Sequence, residues 1–347
     1  MEVLEIYKKI KEKINLIDFN SLWNGFSEFR FALYDDVYVY FDGFQILKDD
    51  RFIGNTAINY GGEYVAIWRL DSAKSMDINI LVSKIIHEMF HAFQYKLFDF
   101  RFPNEVKGII KYEYDASNLS IKFEQNRLLV KLYNHFNIDD LFEYISCKAY
   151  QKSKFAYQFT YESKVEVIEG MAQFIELLVL KKLDASLFYK YIGNLKEKLL
   201  NKNKLFPIRN ICYDSGALIL LICAENDIDI YHDIGLETRT LSEILIDKFP
   251  NIRKTYIPID LEIENILNEY RENTKEIIDS KLNKATMEKV DYQLLGLDPF
   301  NAKRYYDFIY CPYFIGLNID NKFVPLVGEY VVYVEGDRVK ELYKINE

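Results

Sequence analysis

Ile78-Asn79-Ile80-Leu81-Val82-Ser83-Lys84-Ile85-Ile86-His87-Glu88-Met89-Phe90-His91-Ala92-Phe93-Gln94-Tyr95 is the stretch from which the rest of the chain is read. It holds neither Pro nor Gly and is apolar most of the way round a 3.6-residue period, the pattern of a buried helix. Two of the four histidines sit in it, four positions apart. Positions i and i+4 stack on one helix face, so both imidazoles can reach a single metal ion. Glu88 is offset by one residue and hangs beside such an ion, where it can take a proton from metal-bound water and return it to a leaving group. Buried imidazoles and carboxylates also demand polar partners, whatever their task.

Composition narrows the setting. The chain has 347 residues, 50% hydrophobic and 28% charged, as expected of a soluble globular protein with one large core or two. A formal charge of −9 with no basic stripe argues against a nucleic-acid partner. Met1 to Ile10 alternates charge and lacks the basic-then-apolar order of a secretory signal. The longest apolar run, Ala217 to Ala224, is too short to span a bilayer. Cys147, Cys212, Cys223 and Cys311 show no CxxC spacing and make a poor disulfide framework. The expectation is a cytoplasmic protein with reduced thiols and no membrane partner. The 28 tyrosines and 25 phenylalanines read as packing residues.

Hydrophobic periodicity predicts an α+β fold: an N-terminal antiparallel β region, a mainly helical middle and a small C-terminal β-rich segment. Residues 1–76 hold an amphipathic helix over 2–17 and two hairpins. The first runs Phe29–Tyr34, an Asp35-Asp36 turn, then Val37–Phe41; the second runs Phe52–Tyr60, Gly61-Gly62, then Glu63–Trp68. Residues 77–284 carry helical patterns near 78–97, 118–136, 139–152, 160–183, 185–200, 213–225, 240–249 and 259–282. Residues 285–347 return to β patterns at 290–295, 306–315, 323–326 and 330–334. No internal repeat or low-complexity linker interrupts the chain. Glu225-Asn226-Asp227-Ile228-Asp229 lacks the glycine and distal glutamate of a calcium loop and reads as a solvated turn.

A catalytic zinc takes three protein ligands and keeps one position open, so His87 and His91 need a third. His135 and His232 are the remaining imidazoles. Among carboxylates Glu169 stands out, in Val165-Glu166-Val167-Ile168-Glu169-Gly170-Met171-Ala172-Gln173-Phe174. Gly170 costs a helix roughly 1 kcal/mol against Ala, but with Ala172 it permits a close approach to a neighbouring helix. Glu166, Glu169, Gln173 and Glu176 share a face on ideal helical geometry, and a divalent cation would explain how such an acidic face is tolerated. Glu166, and Glu113 and Glu124 nearer in sequence, are reserve ligands.

The pair of motifs, His87-Glu88-Met89-Phe90-His91 and Glu169-Gly170-Met171-Ala172, resembles that of the gluzincin metallopeptidases, which include thermolysin-like enzymes and the relatives of aminopeptidase N. The resemblance covers about a hundred residues. It implies a zincin-like catalytic domain, zinc bound by His87, His91 and Glu169, and Glu88 as general base. Tyr213-Asp214-Ser215-Gly216 is similar to the Tyr-x-x-Gly segment of the aminopeptidase branch, where the tyrosine stabilises an oxyanion. Arg209, four residues earlier, is a further candidate for oxyanion or carboxylate contact. In the family a strand just before the motif helix holds the substrate, a part that the strand Glu63–Arg69 would play here as an exposed edge; an ordinary sheet strand paired on both sides is the equal alternative. The gap between His91 and Glu169 is longer than usual in those peptidases; an inserted hairpin over 118–136 and 139–152 would account for it.

The expected function is therefore a zinc metallopeptidase acting on a peptide or small protein. The alternative is an inactive peptidase-like binding or regulatory protein, with zinc structural, its site closed by His135 or His232, or absent. The motif specifies water activation, not the bond attacked.

Overall fold

Asp35 and two glycines shape the first sheet of the protein, seen in a computed structural model that describes residues 3–98, 102–230, 238–250, 252 and 255–345. α1 (Val3–Ile14) buries Ile6, Ile10 and Ile14, the stripe its spacing offers. The single turn α2 (Phe19–Leu22) leads to β1 (Arg30–Tyr34), β2 (Tyr38–Phe41), β3 (Phe44–Leu47), β4 (Thr56–Tyr60) and β5 (Glu63–Arg69). At the β1–β2 turn, Asp35 Oδ1 accepts the backbone N–H groups of Val37 and Tyr38 at 2.8 and 2.7 Å. Gly61 and Gly62 adopt φ of 66° and 89°, as a two-residue hairpin requires.

The strand order is β3-β2-β1-β5-β4. Neighbours are antiparallel except β1 and β5, which run parallel with Phe31 opposite Ala66. β5 is therefore paired on both sides, the second of the two readings of this strand, and β4 is the edge strand on that side. β4 flanks β5 because the Gly61-Gly62 turn folds the chain back antiparallel along it. Phe52, expected to open β4, sits in the preceding turn with its ring buried beneath the sheet. β3 was not legible; Asp42 and Gly43 turn the chain at φ 49° and 83° before a strand whose side chains are mostly exposed. β1 and β5 are covered on both faces, with Phe31, Leu33, Ala66 and Trp68 in the main core and Ala32, Tyr34, Val65 and Ile67 in a smaller cluster.

α3 (Leu70–Lys74) turns the chain into α4 (Ile78–Phe98), the motif helix, which buries Leu81, Val82, Ile85, Ile86, Met89 and Phe90. α5 (Glu105–Lys111), a short helix capped by Asn104, was not expected. α6 (Ala116–Asn134) and α7 (Ile138–Lys154) pack on each other as the hairpin between the two motifs. α8 (Ala156–Val165) passes through one π turn, Glu166–Gly170, into α9 (Met171–Leu183), which lies against α4. α10 (Ala185–Leu199), α11 (Ile208–Glu225), α12 (Leu241–Lys248) and α13 (Leu261–Leu282) complete the helical region. α11 starts earlier than its pattern at 213, directly after Pro207. One core runs from Ile6 to Leu267, so regions 1–76 and 77–284 share it.

The C-terminal strands are β6 (Ala285–Leu297), β7 (Lys303–Tyr305), β8 (Phe308–Cys311), β9 (Phe314–Ile319), β10 (Lys322–Val327), β11 (Tyr330–Glu335) and β12 (Arg338–Ile345). They form one antiparallel sheet in the order β10-β9-β6-β12-β11-β8-β7. The single run expected over 306–315 breaks at Pro312 and Tyr313, and its halves join different parts of the sheet. Leu294, Ile309, Ile315, Leu317, Val332 and Val339 form a separate core, to which α5 adds Val106. The four cysteines are buried and free. Among the described residues no helix is long and apolar enough to cross a membrane.

Candidate metal centre

α4 presents His87 and His91 on one face, and α9 brings Glu169 to them just as its π turn ends. The His87 and His91 Nε2 atoms are 3.1 Å apart; Glu169 Oε2 lies 3.1 Å from His91 Nε2 and 3.9 Å from His87 Nε2. All three side chains are buried, and one ligand atom of each lies within 4.8 Å of the others. A tetrahedron drawn at zinc–nitrogen distances has edges of about 3.3–3.4 Å, close to this triangle.

The hydrogen bonds fix the tautomers. Gln94 Nε2 donates to the Ile168 carbonyl at 3.0 Å, which turns its Oε1 toward His91 Nδ1 at 2.7 Å. His87 Nδ1 donates to Glu176 Oε2 at 3.1 Å, and Lys84 Nζ holds the other oxygen at 3.1 Å. With both Nδ1 atoms donating, both Nε2 atoms present lone pairs, and two lone pairs converging at 3.1 Å beside a carboxylate require a cation or a proton. The donor set thus fits a divalent metal. The same field lifts His91: burial opposes its charge, but Glu169 and Glu88 raise its pKa to about 9. Burial would raise Glu169, yet His91 and Arg209 hold it well below the usual range.

Glu88 borders the same cleft, and among the described residues no group hydrogen-bonds its carboxylate. Burial raises its pKa, against the pull of His87 and His91. Arg209, at the start of α11, donates through Nη2 to Glu169 Oε1 at 2.6 Å and through Nε to Glu105 Oε1 at 2.9 Å. It is therefore a clamp on the third ligand and not a free oxyanion donor. Its Nη1 also meets the Tyr213 hydroxyl. Burial and the Glu169 charge push the Tyr213 phenol well up, so it stays a proton donor.

The cleft encloses about 760 Å³. Asn55, Thr56 and Trp68 border it from the sheet, Tyr191, Lys198 and Asp214 from α10 and α11, and Phe102, Glu105 and Phe300 close its sides. Tyr95 stacks on Phe102 with centroids 4.1 Å apart and planes at 4°. Phe300, from the loop after β6, lies against the Arg209 guanidinium at 4.6 Å and so brings the C-terminal segment to the site.

The other expected ligands are elsewhere. Glu166 is enclosed by Lys122, Lys148, Ser215 and Ser242, because the π turn shifts the faces upstream of it away from those downstream. The single acidic face of an ideal helix is thereby split, with Glu166 on one side and Glu169, Gln173 and Glu176 on the other. Glu113 is exposed and pairs with Arg304, Glu124 pairs with Arg127, and His135 caps α6 in solvent. His232 lies outside the described residues. Gly170 does permit a close approach, but to α11: a Cβ there would sit 2.6 Å from the Gly216 Cα. Sequence reasoning passed over Gln94 and Glu176 as supports, although Gln94 stands three residues after His91 and Glu176 seven after Glu169, both on the ligands' own faces. Nothing in the sequence announces Phe300.

No protein-family model matches the chain, and no curated protein or solved structure shows significant similarity to it.

Proposed function

We propose that the protein is a metal-dependent peptidase of gluzincin type, with zinc held by His87, His91 and Glu169. The observation that carries this reading is the convergence of two Nε2 atoms and a carboxylate oxygen beside Glu88, whose pKa burial raises and which makes no hydrogen bond among the described residues, in an open cleft. Zinc in such a donor set polarises a carbonyl and lowers the pKa of water toward 7.

The chain's own groups supply the rest. Glu88 accepts the water proton at its carboxylate and delivers it to the leaving amine; its raised pKa suits a group that must do both. Tyr213 keeps its hydroxyl proton and offers it to the oxyanion that develops as water adds. Arg209, gripping Glu169 and Glu105, keeps the third ligand ionised and aimed. Among the described residues β4 is paired on one side only, by β5, and its first residue Thr56 and the preceding Asn55 border the cleft. Its free backbone groups suit an extended peptide added as a further strand, which is what favours a peptide bond over other hydrolysable bonds.

The test is cleavage of a peptide library by zinc-loaded protein and by Glu88→Gln. Glu88→Gln is expected to keep its metal and lose hydrolysis by about 10²–10⁴-fold. Retained cleavage in the zinc-loaded variant sinks the mechanism; a loaded wild type inert toward every peptide supports the binding or regulatory alternative instead.

A further inference from the structure

We infer that Asp214 selects ligands that carry a cationic side chain, lysine or arginine, beside the bond held at the metal centre. For the word substrate this rests on the peptidase reading above; the recognition itself rests on the cleft.

Asp214 follows Tyr213 on α11 and borders the cleft with its side chain only 5% exposed. Gln173 Nε2 donates to its Oδ1 at 2.7 Å. The nearest cation, Lys198 Nζ, stands 3.8 Å from Oδ2, beyond hydrogen-bond distance, on a side chain 54% exposed. The other buried carboxylates nearby are better served. Glu166 accepts from two lysines and two serines, and Glu176 from Lys84 and His87. Asp214 is thus under-partnered for its burial, and the group it lacks is a cationic donor arriving through the cleft. Burial raises its pKa, consistent with a carboxylate short of positive charge.

Position gives the length of that donor. Gln173, which fixes Asp214, lies one turn beyond Glu169 on α9, a rise of roughly 6 Å along the axis. A lysine or arginine whose backbone lies at the metal centre reaches that far. Leu177, Tyr191 and Leu195 line the same part of the cleft and can cover an aliphatic stem. Lys198, held only loosely, can swing into solvent as the ligand's cation takes its place. An acidic side chain finds only Lys198 there, and meets the Asp214 carboxylate beside it, since Lys84 is committed to Glu176 and Arg209 to Glu169 and Glu105.

The experiment is calorimetric binding of the hydroxamates of arginine, leucine and aspartate to the zinc-loaded protein, a readout that needs no turnover. Wild type is expected to bind the arginine compound at least about tenfold more tightly than the leucine compound, and the aspartate compound most weakly. Asp214→Asn, nearly isosteric, should erase that gap and leave leucine binding within about twofold. Lys198→Met, which removes the competing ammonium, should widen it. If Asp214→Asn does not fold, Lys198→Met decides: unchanged arginine affinity counts against the proposal. Equal affinities in the wild type, a preference that survives Asp214→Asn, or no binding by any of the three overturns it. A binding preference without cleavage of any peptide would instead leave Asp214 as assigned and remove the peptidase reading.

Discussion

One continuous rod, α8 through the π turn into α9, carries two pairs of buried glutamates to opposite fates. Glu162 and Glu166 face α6 and α7, where Lys122 and Lys148 meet them in a closed network with Tyr112, Asn118, Gln151, Ser215 and Ser242. Two carboxylates meet two ammonium groups there, with side chains 0–2% exposed. Glu169 and Glu176 face α4 and an open cleft, where Lys84 and Arg209 each hold one carboxylate and the Nε2 atoms of His87 and His91 converge with a Glu169 oxygen on a common point. The first region satisfies its charges internally; in the second, the converging Nε2 atoms and carboxylate call for a cation or a proton, and the metal ion there is the proposal made above. Buried charge by itself thus says little about function, and the direction of the unshared lone pairs says much more.

The difference makes opposite demands on substitution. Glu166→Ala strands two buried ammonium groups and should destabilise the fold by about 3–5 kcal/mol in urea denaturation. Metal stoichiometry of the folded fraction should be unchanged. The same contribution has a pH signature: Lys122 and Lys148 overcome the opposing effect of burial and depress the Glu166 pKa from 4.5 to about 2. Its stability contribution is therefore full above about 4.5 and is lost as pH falls toward about 2. A variant as stable as the wild type would show the network to be dispensable.

Glu176→Gln is the smaller perturbation and acts on the other region. It keeps the shape but removes the charge that orients His87, so metal affinity should fall by about 10–100-fold in a competition titration with a chelator. Metal-free stability should change little by comparison. Should Glu176→Gln cost more stability than metal affinity, the two regions would be one structural network and the distinction between them would collapse.

Much of the open region was legible in the sequence. His87, Glu88 and His91 are three close positions on one helix, and helical geometry alone brings them together. Glu169 was marked by Gly170, although the glycine serves the crossing with Gly216 and not the approach to the histidines. The closed region was not legible, because nothing local in the sequence marks Lys122 and Lys148 as partners of Glu166 until α6 and α7 fold over it. The ideal 3.6-residue period also put Glu166 on the ligand face, and only the π turn corrects that. The strand edge stayed open for a similar reason: β5 directly precedes the motif helix, but edge status depends on where β1 and β4 pair, a long-range matter that local alternation does not encode. The helices of the middle region followed their periodicity within a few residues, whereas α5, β3, β7 and β12 are short or charge-rich and depend on tertiary partners.

The most direct measurement is metal content by mass spectrometry on protein purified without chelator, wild type beside Glu169→Ala. The expected result is close to one zinc per chain in the wild type and a sharp fall in the variant. A wild type that holds no metal even after reconstitution, or a variant that holds as much as the wild type, contradicts the assignment of His87, His91 and Glu169 as a metal centre.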